Sequence, residues 1–274
     1  MAISQDTKKV FRKKGACSQT FFYVLNREFG NNDEVQERAS DPLVGGILQL
    51  GYQCGLLFGS TLAVGKESYR RYRDPDLATT MAILASKRVL DAFREGAGSV
   101  NCRDITDTDF SKKLQFARFL ILKARACFNL ADEWTEDALR SAKEGLSSVP
   151  EVLPKGPRSC ASELAKKMGL GKEESIIVAG FAGGIGLSGE ACGALGAAIW
   201  LRSLQWCWEN PGKSSFNNPY ASDLLLTFDD MTGSRYLCRE ICGRTFKDIQ
   251  EHTEYLKVGG CAELIGTLAG TVER

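Results

Sequence analysis

The sequence predicts a mainly α fold made of two tandem homologous helical domains, and three observations carry that reading. The first is a repeated cysteine quartet: Cys17, Cys54, Cys102 and Cys127 are separated by 37, 48 and 25 residues, and Cys160, Cys192, Cys238 and Cys261 by 32, 46 and 23. The second is a scarcity of alternating apolar and polar residues, the mark of half-buried strands, against several stretches with apolar residues at helical spacing. The third is a junction, LSSVPEVLPKGPRS, that carries Pro150, Pro154 and Pro157, three of the seven prolines. Proline removes backbone donors and cannot continue a helix, so the junction reads as a connector between domains at residues 1–149 and 150–274. Two copies in one chain are expected to pack about a pseudo-two-fold axis, as the subunits of an isologous dimer do.

The elements follow in chain order. KKVFRKK at 8–14 reads as a solvated helix start. Residues 43–65, LVGGILQLGYQCGLLFGSTLAVG, hold no charge over 23 positions, long enough to cross a bilayer. The matching second segment includes Glu190, so the expectation is a buried helix whose glycines permit close approach, with no membrane span. YRRYR at 69–73 reads as a solvated loop before Pro75. Over 76–95, Leu77, Met81, Leu84, Leu90 and Phe93 stand near helical spacing, with Asp76 as cap and Gly96 as stop. Residues 109–144 lack proline and glycine and suit one or two helices ended by Gly145. Cys160 opens a short helix ended by Gly169, and SIIVAGF at 175–181 is the best β-like run in the chain. Gly184-x-Gly186-x-x-Gly189 after it has the form of a dinucleotide-binding turn, but the first half has Leu48 where Gly186 stands and no alternating strand–helix pattern follows. Cys207, between Trp206 and Trp208, reads as core, and His252 in QEHTEY as a surface residue.

The repeat is strongest at its centre. Gly45-Gly46-Ile47, Gly51 and Cys54-Gly55 align without a gap on Gly183-Gly184-Ile185, Gly189 and Cys192-Gly193. Around the third cysteine, Phe93 through Gly98-Ser99 to Cys102-Arg103-Asp104-Ile105 matches Phe228 through Gly233-Ser234 to Cys238-Arg239-Glu240-Ile241 with one residue inserted. The fourth position shares only C-x-x-L.

Composition excludes several functions. Lys and Arg total 35 against 34 Asp and Glu, a net charge of +1, so no field exists to gather nucleic acid. The one histidine rules out a three-histidine zinc site, and C-x-x-C-H, which attaches c-type haem, does not occur. Among 34 carboxylates no acid–base pair stands out, and no catalytic residue is assigned. The first twenty residues hold no apolar h-region, which predicts a cytoplasmic protein, and in a reducing compartment ten cysteines point to metal ligation or redox chemistry.

These residues resemble the C-GCAxxG-C-C family of redox-active proteins, about 140 residues with four cysteines, as two tandem copies over roughly residues 12–135 and 155–270. The motif falls on Gln53-Cys54-Gly55-Leu56-Leu57-Phe58 and on Ala191-Cys192-Gly193-Ala194-Leu195-Gly196. Gln53 and Ala191 replace its leading glycine, Gly55 and Gly193 its alanine, and only Gly196 keeps its closing glycine. The resemblance implies redox activity. A similar domain accompanies haem and an iron–sulfur centre in split-Soret cytochromes, of which only the cluster part carries over to a chain without a haem motif.

Four thiolates at one site hold a two-iron or four-iron cluster, or a tetrahedral zinc. The absence of local C-x-x-C pairing favours iron–sulfur. Thiol–disulfide exchange within a half needs no metal and stays open, as does a structural zinc or interaction module. The leading expectation is an electron-transfer protein with one cluster per half, held by Cys17, Cys54, Cys102 and Cys127 and by Cys160, Cys192, Cys238 and Cys261. Gly46, Gly55, Gly184 and Gly193 are expected to bring backbone N–H groups to sulfur, and Arg103 and Arg239 to offset its charge. Cys242, four residues after Cys238, can share its helical face as a further ligand or a resolving thiol. The expected partner is another redox protein, and homo-oligomerisation is left open.

Overall fold

The structure is a computed structural model, and it describes residues 7–270. Among the described residues there is no strand. The first half comprises α1 (Thr7–Lys14), α2 (Cys17–Phe29), α3 (Glu34–Arg38), α4 (Gly55–Arg71), α5 (Pro75–Ala97), α6 (Cys102–Thr106), α7 (Lys113–Arg118) and α8 (Ala124–Ser147). The second comprises α9 (Cys160–Lys167), α10 (Lys172–Ile177), α11 (Gly193–Glu209), α12 (Pro219–Thr232), α13 (Cys238–Cys242), α14 (Ile249–Lys257) and α15 (Ala262–Gly270). The order α2 to α6 recurs as α9 to α13, so the protein is an all-α tandem duplication. The boundary expected near residue 150 falls between α8 and α9.

α5 shows how local sequence builds an element here. Asp74, two residues before the expected cap, accepts from the backbone N–H of Asp76 (2.8 Å) and Leu77 (2.9 Å), with Pro75 opening the helix, where its missing donor costs nothing. The buried stripe Ala78, Met81, Ala85, Val89 and Phe93 repeats every three or four residues. Gly98, left-handed at φ 72°, ends the helix two residues past the expected stop.

Four expectations are corrected. Residues 109–144 hold two helices, within the expected one or two, but Gly145 does not end them: α7 passes through a π-helical turn, Phe119–Lys123, into α8, which runs on to Ser147. Gly145 lies where α8 touches α5, and a Cβ on it would stand 2.7 Å from Ala85 Cα, so it serves packing and not termination. SIIVAGF is not a strand but the end of α10 followed by the 3₁₀ turn Ala179–Phe181; a short buried apolar run has no period with which to declare its type. Residues 43–65 are not one helix, since a loop separates the 3₁₀ turn Asp41–Leu43 from α4; no helix among the described residues is long and apolar enough to cross a membrane. YRRYR is not a free loop before Pro75: its first residues end α4, where Arg70 and Arg71 each lie 2.6 Å from the buried carboxylate of Glu67.

One hydrophobic cluster runs through both halves. Phe58 of α4 meets Phe181 edge-on with ring centroids 5.4 Å apart, and Trp200 of α11 packs on Phe22 of α2 while its indole N–H donates to the Gln36 carbonyl at 3.1 Å. Each half also reaches the other's cysteines. Phe216 lines the first-half cysteine cavity, and Ile83 of α5 packs with Leu187 and Cys238.

Candidate functional site

The backbone gathers the cysteines by the same device twice. Residues 45–49 all have positive φ, at 64°, 75°, 59°, 46° and 66°, and residues 183–187 repeat this at 58°, 82°, 43°, 60° and 67°. Each run is a left-handed turn. Its long-reach bonds match: Gly51 N–H to Gly45 O and Gly189 N–H to Gly183 O, both 2.9 Å. A non-glycine residue held left-handed costs roughly 1–2 kcal/mol, and Ile47, Leu48, Gln49, Ile185 and Leu187 all bear it. Strain repeated at equivalent places next to functional residues marks a constructed site. The turn aims the Gly45 N–H at Cys17 Sγ and the Gly183 N–H at Cys160 Sγ.

A two-bond clamp then sets the second and third cysteines side by side. Cys54 N–H donates to Val100 O at 2.7 Å and Cys102 N–H to Tyr52 O at 3.0 Å; Cys192 N–H donates to Tyr236 O at 2.7 Å and Cys238 N–H to Glu190 O at 2.6 Å. Cys17 opens α2 and Cys54 immediately precedes α4, as Cys160 opens α9 and Cys192 precedes α11. Helix N-termini carry unpaired N–H groups and partial positive charge. Accordingly Cys54 Sγ receives the Leu56 N–H, and Cys192 Sγ those of Leu195 and Ala194.

In the first half Cys17, Cys54, Cys102 and Cys127 line one cavity of about 180 Å³, whose other walls include Phe11, Phe110, Phe119 and Phe128. Burial pushes all four thiols up, and the neighbouring thiols raise Cys54, Cys102 and Cys127 further, Cys127 to about 12, while backbone N–H groups pull Cys17 partly back. In the second half Cys160, Cys192, Cys238 and Cys261 are joined by Cys242, whose sulfur lies 3.8 Å from Cys238 Sγ and 3.7 Å from Cys261 Sγ. Burial raises Cys160 to about 11 and Cys192 to about 12. Cys242 moves the other way, lowered by its hydrogen bonds with the Cys238 and Cys261 sulfurs. The thiols that shift one another belong to the same half. Among the described residues no group of three or more Cys, His, Asp or Glu is arranged to hold a metal ion.

Of the glycines expected at the sulfurs, Gly55 alone touches one: a Cβ there would stand 2.3 Å from Cys17 Sγ. Gly46 and Gly184 instead fold the left-handed turn onto Tyr52 and Glu190, and Gly193 lies against the Phe181 carbonyl. The arginines are engaged elsewhere. Arg103 donates to Leu50 O at 2.9 Å, and Arg239 pairs with Glu190 at 3.0 Å.

Sequence reasoning missed Gly45 and Gly183 as the sulfur donors, although both stand in the repeated Gly-Gly-Ile. It also placed His252 on the surface. The ring is buried, with Nδ1 3.1 Å from Arg158 O and Phe246 edge-on to it, and burial lowers its pKa below the ordinary 6.5. Cys207 is buried as expected, with the Arg38 guanidinium 3.5 Å from its sulfur.

A twice-built cysteine site on a duplicated helical frame defines a class of redox-active thiol proteins. The family described as "Putative redox-active protein (C_GCAxxG_C_C)" matches residues 16–138 and 158–274, and the chain belongs to it as two tandem copies. No curated protein and no solved structure matches the chain.

Proposed function

We propose that this redox protein transfers electrons through one iron–sulfur centre in each half. The observation that carries the reading is the convergence of Cys17, Cys54, Cys102 and Cys127 on a single aromatic-walled cavity. Cysteine thiolates are the donor type that an iron–sulfur centre takes, and four of them line the cavity. Zinc sites built from cysteine usually draw on local C-x-x-C pairs, which this chain lacks, so the cluster is the reading preferred over zinc. A cationic centre would offset the burial that keeps these four thiols protonated, and the N–H donors at Cys17 and Cys54 are contacts of the kind that tune cluster sulfur. Cys160, Cys192, Cys238 and Cys261 hold the second centre on this reading.

Bound there, a cluster supplies one-electron transfer at a potential set by its ligands and surroundings. The chain's own part is to fix the sulfurs on strained turns and helix starts, to donate N–H groups to them, and to exclude water with Phe11, Phe110, Phe119 and Phe128. The partner on this reading is another redox protein, and ten free cysteines suit the reducing cytoplasm.

Anaerobic purification and cluster assembly, followed by visible absorption, iron and sulfide analysis and paramagnetic resonance, test the proposal. A broad band that bleaches on reduction is expected, with Cys54→Ser and Cys192→Ser each removing one of two signals. A protein that stays colourless and iron-free after competent assembly overturns it.

A further inference from the structure

α13 occupies the place of α6, and position by position Cys242 stands where the first half has Thr106. Thr106 turns its hydroxyl back to the Cys102 carbonyl at 2.7 Å. Cys242 instead brings its sulfur into van der Waals contact with two others, Cys238 at 3.8 Å and Cys261 at 3.7 Å. Geometry chooses between them. Cys238 and Cys242 are four apart on one helical turn, where Cβ atoms lie about 5–6 Å apart, more than the ~3.5–4.5 Å a disulfide spans. Cys261 lies on the turn between α14 and α15, left-handed at φ 58°, so no shared helix fixes its Cβ against that of Cys242. Cys242 and Cys261 are both half-buried while Cys238 is buried, so a reagent in solution meets the first two.

We propose that Cys242 and Cys261 form a reversible dithiol–disulfide pair that exchanges with an external disulfide, a pair for which the first half, with Thr106 in place of Cys242, has no counterpart. Cys242 sulfur, its proton lost to water, attacks one sulfur of the external disulfide; that S–S bond breaks and its electron pair leaves with the departing thiolate. Cys261 sulfur, likewise deprotonated, then attacks Cys242 Sγ, the Cys242–Cys261 bond forms, and the second external thiolate leaves. The two protein thiols are oxidised by two electrons, the external disulfide is reduced to two thiols, and the two protons end on those thiols. A consequence rests on the cluster reading: oxidation takes Cys261 out of the second quartet, so the oxidised pair and a loaded second centre exclude each other while the first half is untouched.

The test uses the full chain, purified anaerobically and free of iron, treated with glutathione disulfide, alkylated, and mapped by mass spectrometry without reduction. The expected product is lighter by two hydrogen atoms, carries a Cys242–Cys261 crosslink, and has its other eight cysteines alkylated. Cys242→Ser abolishes the crosslink and Cys207→Ser keeps it. Alkylation of both Cys242 and Cys261 after oxidation overturns the proposal, as does a crosslink from Cys261 to Cys238 that survives in Cys242→Ser. The wild-type map needs no variant, so a misfolded Cys242→Ser does not blunt it. Iron uptake is read separately: the oxidised chain is expected to take up about half the iron of the reduced chain, and equal uptake overturns the exclusion. A positive crosslink map with no iron bound in either state supports the pair and removes the cluster reading alone.

Discussion

The first half sets four sulfurs round a cavity walled by Phe110, Phe119 and Phe128, whereas the second sets five sulfurs in one array with Cys242 in contact with two of them. The left-handed turn and the two-bond clamp are the same in both. What differs comes from the last third of each half. There α7, a π-helical turn and α8 make one long rod in the first copy, and two short helices with Cys261 on the turn before the last make the second. The conserved backbone device delivers the first three cysteines, and the variable segment decides what kind of space the fourth closes. Duplication thus yielded one sulfur geometry with two surroundings.

The largest effect expected on that contrast is from Gly55→Ala, whose Cβ would lie 2.3 Å from Cys17 Sγ. Overpacking there should cost about 3 kcal/mol and, on the cluster reading proposed above, abolish the first centre alone, read as loss of about half the iron with the second half's resonance signal unchanged. If both signals vanish together, the two sites are not independent.

Next come the paired turn variants. In Gly46→Ala a Cβ would fall 2.0 Å from Tyr52 O at φ +75°, and in Gly184→Ala 2.7 Å from Glu190 O at φ +82°. Denaturant unfolding should show each destabilised by about 1–3 kcal/mol, Gly46→Ala the more. Equal stability with the parent chain would show the left-handed turn to be dispensable.

A smaller, pH-dependent effect belongs to Asp41, buried near Arg38 and Ser215, with Oδ1 unpaired. Burial raises its carboxyl from 3.8 to about 7. A pKa raised on folding gives stability that is fully present below the unfolded value and is lost as pH rises through the folded one. Asp41→Asn should therefore match the parent near pH 4 and be the more stable at pH 8. His252 runs oppositely: its lowered pKa gives stability that is present above 6.5 and lost as pH falls, and His252→Gln should flatten that acid limb in thermal melts.

The smallest effects belong to Arg103→Ala and Arg239→Ala. Their guanidinium groups serve Leu50 O and Glu190, so each change should cost no more than about 1 kcal/mol and, on the cluster reading, leave the reduction potential of either proposed centre in place. A shifted potential would restore these arginines to the sulfurs.

Much of this contrast was legible in the amino-acid order. The quartets, the duplication, α5 and the ambiguous standing of Cys242 follow from spacing, because helical period and residue identity are local. The left-handed turn was half legible: Gly45-Gly46 and Gly183-Gly184 announce positive φ, but Ile47, Leu48 and Gln49 carry no such signal and adopt it under tertiary constraint. The common core, the burial of His252 and the run of α8 through Gly145 depend on contacts between distant segments, which no window of sequence contains.

The mirror-handed turns carry a stereochemical consequence. At Gly45 and Gly183 the chain follows a path natural to D-amino acids, so a D-alanine introduced by chemical synthesis should be accepted where its L-enantiomer is resisted. Around its sulfurs the protein has in effect reserved two short stretches of opposite chirality, and glycine is the genetically encoded residue that enters them without strain.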